Sequence, residues 1–131
     1  MTGLDTNVLI RLFAQDDPRQ QAQAEALLKT LSPADPGWIA VAVVMELVWT
    51  LTSVYLLDRT SVIRTLDQLF SMREIAVEQS DTVREAIRLF RSGRAGFADC
   101  LIAASARAAG CSRTVTFDRV AARDAGMELL G

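Results

Sequence analysis

The sequence predicts an α/β fold with a mainly parallel sheet and helices on both of its faces. Three observations carry this. Short apolar runs that end on polar residues alternate with longer segments of helical periodicity. Pro- and Gly-rich breaks, Ser32-Pro-Ala-Asp-Pro-Gly37 and Ser92-Gly-Arg-Ala-Gly96, fall between these segments. Half of the residues are hydrophobic, 50%, which suffices for a full core and argues against disorder. With 131 residues, a single domain spanning 1–131 is the expected organisation.

Met1 to Leu4 reads as a short strand that delivers Asp5, and Val8 to Phe13 as a short helix behind the capping residues Asp5, Thr6 and Asn7. Asp16-Asp17-Pro18 opens the next helix, with an acidic cap and Pro in the first turn, and this helix runs to about Leu31. Trp38-Ile39-Ala40 is a second strand. Val43 to Tyr55 follows as a helix that is apolar almost all round, so burial on most sides is expected, with Glu46 as its only charge. Asp58 restarts the chain before a helix over Ser61 to Met72, where Val62, Ile63, Leu66, Leu69 and Phe70 share helical spacing.

Glu74 to Val77 is a short strand. Ser80 is the expected cap of a helix over Asp81 to Arg91, with Val83, Ile87 and Phe90 inward. Phe97 to Ala109 is an Ala-rich helix with Asp99 in its first turn, and Gly110 ends it. Arg113 to Phe117 is a strand that delivers Asp118. A short helix, Arg119 to Asp124, and a last strand, Met127 to Leu130, complete the chain.

Composition narrows the chemistry. There is no His, which removes Ser-His and Cys-His nucleophile pairs and imidazole metal ligands. Any metal must then be held by oxygen, which selects hard cations such as Mg²⁺ or Mn²⁺. Cys100 and Cys111 have neither zinc-site nor disulfide spacing, and both are expected to be small core residues. Net charge is −2, so no global positive field draws in nucleic acid, although 13 of the 14 basic residues are Arg, the better fork for phosphate. Asp5 interrupts any signal-peptide core, and the apolar run from Trp38 to Met45 is too short for a bilayer, so a cytoplasmic, non-membrane protein is expected.

Four acids stand in apolar surroundings. Asp5 and Asp118 end strands, Asp99 opens an apolar helix, and Glu46 lies within one. Each has a simple structural reading: Asp5 and Asp99 as helix caps, Glu46 as the partner of a buried Arg, Asp118 as the opening of a turn. A single cause covers all of them. Carboxylates crowded at the carboxyl edge of a parallel sheet repel one another unless a cation sits among them. A divalent ion held this way polarises a phosphate oxygen and acidifies a water, which becomes the candidate nucleophile.

The ordered segments Leu4-Asp-Thr-Asn-Val-Leu-Ile-Arg11, Val44-Met-Glu-Leu-Val-Trp-Thr-Leu51, Phe97-Ala-Asp-Cys-Leu-Ile-Ala-Ala104 and Val115-Thr-Phe-Asp118 resemble the PIN-domain ribonucleases, and most of all the VapC-type toxins of toxin–antitoxin pairs. The resemblance covers nearly the whole chain. It implies a three-layer α/β/α sandwich and Mg²⁺- or Mn²⁺-dependent hydrolysis of RNA phosphodiesters. A homodimer and a small cognate antitoxin that occupies the active-site groove are implied too. By match of motif, Asp5, Glu46, Asp99 and Asp118 are the implied metal-site acids, with Asn7 and Thr116 as polar supports.

Arg84, Arg88 and Arg91 share a helix face by their spacing, and Arg94 follows in the loop before Asp99. The stripe is either a phosphate-tracking surface beside the site or an ordinary solvated face. Two rival functions remain at this stage. A phosphatase or phospho-acceptor domain also places an acid after the first strand, but the haloacid-dehalogenase pattern wants Asp where Asn7 stands and a Lys near a later motif, whereas the only Lys is Lys29. A non-catalytic module with a PIN-like fold has no need of all four acids.

Overall fold

The computed structural model describes residues 1–131. The chain divides into two units, Met1–Glu78 and Gln79–Gly131.

The first unit is built on three parallel strands in the order β1 (Thr2–Gly3), β2 (Gly37–Ile39) and β3 (Ile75–Val77). Thr2 pairs with Gly37 and Gly3 with Trp38, while Gly37, Trp38 and Ile39 pair with Ile75, Ala76 and Val77. At Gly37 a Cβ would lie 2.7 Å from Leu4 Cδ1 and 2.9 Å from Leu31 Cδ1, so the tips of those two side chains would have to move to admit one. Between β1 and β2 run α1 (Thr6–Ala14) and α2 (Pro18–Leu28); between β2 and β3 run α3 (Val41–Ser53) and α4 (Arg59–Ser71). Leu9, Ile39, Val44, Leu47, Leu66 and Leu69 are fully buried and form the centre of this unit.

Caps set the helix starts. Asp17 accepts from Gln20 N–H at 3.0 Å and Asp58 from Ser61 N–H at 2.8 Å. α2 stops at Leu28 rather than near Leu31, because Thr30 and Leu31 N–H bond to the carbonyls three residues back and tighten the chain into turns. At α3 the cap comes from far along the chain: Ala40 has no capping side chain, and Glu78 Oε1 accepts from Val41 N–H at 2.9 Å.

The expectation that α3 is buried on most sides holds for eight of its 13 residues, which are buried or half-buried, but one face stays open. Val43, Val44, Leu47, Val48 and Leu51 face inward, but Ala42, Glu46, Trp49 and Ser53 form an open face and Trp49 is 64% exposed. This face meets solvent, and an apolar residue does not bury itself without a neighbour. Val54, expected inward, lies past the helix end and is exposed.

The second unit holds α5 (Ser80–Ser92), α6 (Phe97–Ala108), β4 (Val115–Thr116), α7 (Arg119–Asp124) and β5 (Glu128–Leu129). β4 and β5 are parallel, with Val115 opposite Glu128 and Thr116 opposite Leu129, and they form a sheet separate from that of the first unit. α5 packs on α6 through Val83, Ile87, Phe90, Cys100 and Ala104, and the rings of Phe90 and Phe97 meet edge to face at 5.5 Å. Ser80 is not the cap of α5. Gln79, in the left-handed conformation at φ 49°, is the N-cap and contributes no side-chain bond, so Ser80 becomes the first helical residue. Gly110 takes φ 93° just beyond α6, which turns the chain sharply and leaves Cys111 exposed, while Cys100 is buried as expected. No helix is long and apolar enough to cross a membrane.

Candidate functional site

In the first unit the acids are Asp5 and Glu46. β1 carries Asp5 to the start of α1, where it is the N-cap: Asp5 Oδ1 accepts from Thr6 N–H at 2.8 Å. Glu46 projects from the open face of α3, and its Oε1 accepts from Thr6 Oγ1 at 3.2 Å. Thr6 is therefore a bridge. Its backbone fixes one carboxylate and its hydroxyl the other, and the residue is buried at 6% exposure between two exposed acids. The sequence reading named Thr6 only as a capping residue. The available signal was a hydroxyl beside an acid at the start of a helix whose following residues are Val8, Leu9 and Ile10.

Glu46 was expected to be a charge trapped in an apolar helix, but it is exposed and carries no such desolvation cost. Nor is its partner a buried Arg. Asn7 is exposed and lines a groove between α1 and α2 rather than bonding to either acid.

In the second unit the acids are Asp99 and Asp118. Asp99 stands half-buried in the first turn of α6, but it is not the cap: Gly96 is, with no side-chain bond. Its carboxylate is left for another role, within reach of the positive end of the helix. Asp118 is the N-cap of α7, and its Oδ1 accepts from Val120 N–H at 2.8 Å and Ala121 N–H at 3.0 Å. Thr116 Oγ1 accepts from Asp118 N–H at 3.0 Å.

At Asp5, Glu46 and Asp118 these bonds fall on one oxygen of each carboxylate, and the other oxygen can meet a cation. The donors are all carboxylate oxygens, the type that suits Mg²⁺ or Mn²⁺. Neither unit by itself gathers three or more acidic or thiol side chains around a point that could hold a metal ion.

Arg84, Arg88, Arg91 and Arg94 are all exposed. Arg88 grips Glu85 with two bonds, 2.9 Å from Nε and 2.6 Å from a terminal nitrogen, and Arg107 approaches the same carboxylate at 3.4 Å. The two guanidinium groups hold the Glu85 carboxyl below the usual range, with Arg88 as the larger cause. Arg94 N–H donates to Asp124 Oδ2 at 2.9 Å, which ties the loop before α6 to α7.

A model of the PIN domain matches residues 4–126 of this chain. A protein named VapC ribonuclease, from Aquifex aeolicus (strain VF5), is 24% identical over 119 residues, which covers 91% of this chain and 88% of that protein. With nearly its entire length matched, and with acids at two strand ends and on two helices of an α/β framework of parallel strands, the chain belongs to the PIN-domain family.

Proposed function

We propose that this protein is a metal-dependent endoribonuclease, the toxin half of a VapC-type toxin–antitoxin pair. The observation that carries the reading is the Thr6 bridge between Asp5 and Glu46, the first two of the family's acids, in a chain whose third and fourth acids, Asp99 and Asp118, follow in order. The likeness to a VapC ribonuclease supports the same class of reaction.

In this reading Asp5 and Asp99 would be the principal residues to hold a Mg²⁺ or Mn²⁺ ion, with Glu46 and Asp118 assisting them. Bound there, the ion supplies positive charge to a phosphate oxygen and acidifies a water. The rest is the work of the chain. Thr6 keeps Asp5 and Glu46 from turning away to solvent, and the α7 cap does the same for Asp118. Hydrolysis would join a water oxygen to phosphorus, break the bond from phosphorus to the 3′-oxygen, and leave the water's proton on that leaving oxygen. Asn7 stands beside this machinery as a polar support, and Arg84, Arg88, Arg91 and Arg94 serve as the phosphate-tracking surface. The exposed Trp49, Val54 and Leu56 give the first unit an apolar surface for a second copy of the chain or for the antitoxin, acting with it in the cytoplasm.

Purified protein should cut single-stranded RNA with Mg²⁺ or Mn²⁺ and stop with EDTA. Asp99→Asn should lose the activity with an unchanged circular dichroism spectrum, since Asp99 makes no cap bond. Wild-type cutting rates in Asp99→Asn, or equal cutting in EDTA, would overturn the reading.

A further inference from the structure

A groove of about 320 Å³ lies between α1 and α2, within the first unit. Its apolar lining comes from Val8, Ala24 and Leu27, and its rim carries three neutral amides, Asn7, Gln20 and Gln23. Arg11 also lines it, but Asp16 Oδ1 holds the Arg11 guanidinium at 2.6 Å, so the cation is already matched. Arg11 Nε is buried and has no hydrogen-bond partner. Asn7, in the first turn of α1, is one of its lining residues and stands two residues after Asp5, the N-cap of that helix.

These features describe one kind of occupant. A phosphate would want free cations, and none lines the groove. The volume is at the small end of the range for ligand pockets, roughly 300–1,000 Å³, which suits a single flat ring system better than a peptide segment. An apolar floor with amide edges offers a face for a ring and both donors and acceptors for its rim.

We propose that the α1–α2 groove is a nucleobase subsite that reads one unpaired base of the RNA next to the cleavage position. Gln20 and Gln23 bond to the edge of the base, and Asn7 links the subsite to Asp5. The cleavage part of this inference rests on the ribonuclease reading above; the base-binding part does not. The choice of base is made here by neutral amides, so it is separate from the salt-sensitive affinity that Arg side chains provide.

The test uses the full chain, isotope-labelled, titrated with each of the four 5′-mononucleotides (AMP, GMP, CMP and UMP) in EDTA. The expected result is saturable shifts at the side-chain amides of Asn7, Gln20 and Gln23, with one base favoured about tenfold over the others, as good bidentate readout gives. The double variant Gln20→Leu/Gln23→Leu changes two exposed helix positions to a good helix former and should fold, but it should lose the preference. On a randomised RNA pool with Mg²⁺, wild type should favour one base at one position beside the cut, and the double variant should cut with that preference flattened. Groove amides that do not respond to any mononucleotide, or a base preference that survives in the double variant, would overturn the subsite while leaving the ribonuclease reading intact. Response to an added amphipathic peptide with no response to the mononucleotides would equally overturn it. One-base binding in the groove of a protein that cuts no RNA would uphold the subsite and overturn the ribonuclease reading.

Discussion

Thr6 Oγ1 donates to Glu46 Oε1 at 3.2 Å across 40 positions of sequence, while Thr6 N–H holds Asp5 Oδ1 at 2.8 Å. One buried residue thus orients two exposed carboxylates. Exposed side chains rotate freely unless something holds them, and a ligand carboxylate that rotates away loses its metal.

Thr6→Val keeps the shape of the side chain and removes only the hydroxyl. Asp5 keeps its bond to the backbone. We expect Mg²⁺-dependent RNA cleavage to fall about 10- to 100-fold, the range seen when outer partners of metal ligands are removed. Stability should fall by only ~1 kcal/mol, the net worth of one hydrogen bond. Thr6→Ser should restore activity. Equal activity in Thr6→Val and wild type would show that Glu46 needs no orientation.

How much of this was legible in the sequence depends on distance along the chain. Asp5, Asp99 and Asp118 stand at element boundaries, and local pattern finds such places: all three fall within one residue of a helix start or in a first turn. Glu46 was found for a reason that the structure reverses. Its surroundings in sequence are apolar, yet it faces outward with Trp49, because a largely apolar helix can still leave one face open. The Thr6–Glu46 bond, the Glu78 cap of α3 and the α1–α2 groove are all made by residues far apart, and no local signal announces them. The left-handed Gln79 was missed because that conformation is usually the province of Gly or Asn.

Asp118 combines two roles that a pair of substitutions separates. As N-cap it satisfies two N–H groups of α7; as an acid it carries charge. Asp118→Asn keeps a good capping side chain and removes the charge, whereas Asp118→Ala removes both. Both should lose cleavage activity. Only Asp118→Ala should also lose stability, by ~1 kcal/mol in urea unfolding. Full activity in Asp118→Asn would leave Asp118 as a cap alone.

The Arg stripe yields to a salt titration. Replacing Arg84, Arg88 and Arg91 with Gln should flatten the slope of log affinity against log salt by up to about two units on single-stranded RNA, at roughly 0.7 per phosphate contact. Arg88 must break its two bonds to Glu85 to reach a phosphate. An unchanged slope in filter binding at 50 to 300 mM salt (about that range) would make the stripe a solvated face.

The last prediction concerns a latch that no sequence pattern signals. Asp16 receives Tyr55 OH at 2.7 Å on one oxygen and Arg11 at 2.6 Å on the other, which fastens the loop before α2 to the end of α3. The Tyr55 hydroxyl bond is the largest cause that holds the Asp16 carboxyl below its usual value, and the Arg11 charge adds to it. The same bond pushes the Tyr55 phenol up. The two signs differ. A carboxyl whose folded value is depressed stabilises the fold above its unfolded value, near the reference 3.8, and that contribution fades as pH falls through the lower folded value. A phenol whose folded value is raised stabilises below its unfolded value, near 10.0, and that contribution fades as pH rises through the folded one. Tyr55→Phe removes both at once. Its stability penalty relative to wild type should therefore be level from about pH 5 to pH 9 and should shrink toward either extreme. Urea unfolding of the two proteins at a series of pH values measures it. The surface position keeps the penalty small, so the shape of the pH profile is the decisive readout. A penalty that stays constant below the Asp16 range would mean that the latch owes nothing to the charge of Asp16, and that Tyr55 contributes only by the packing of its ring.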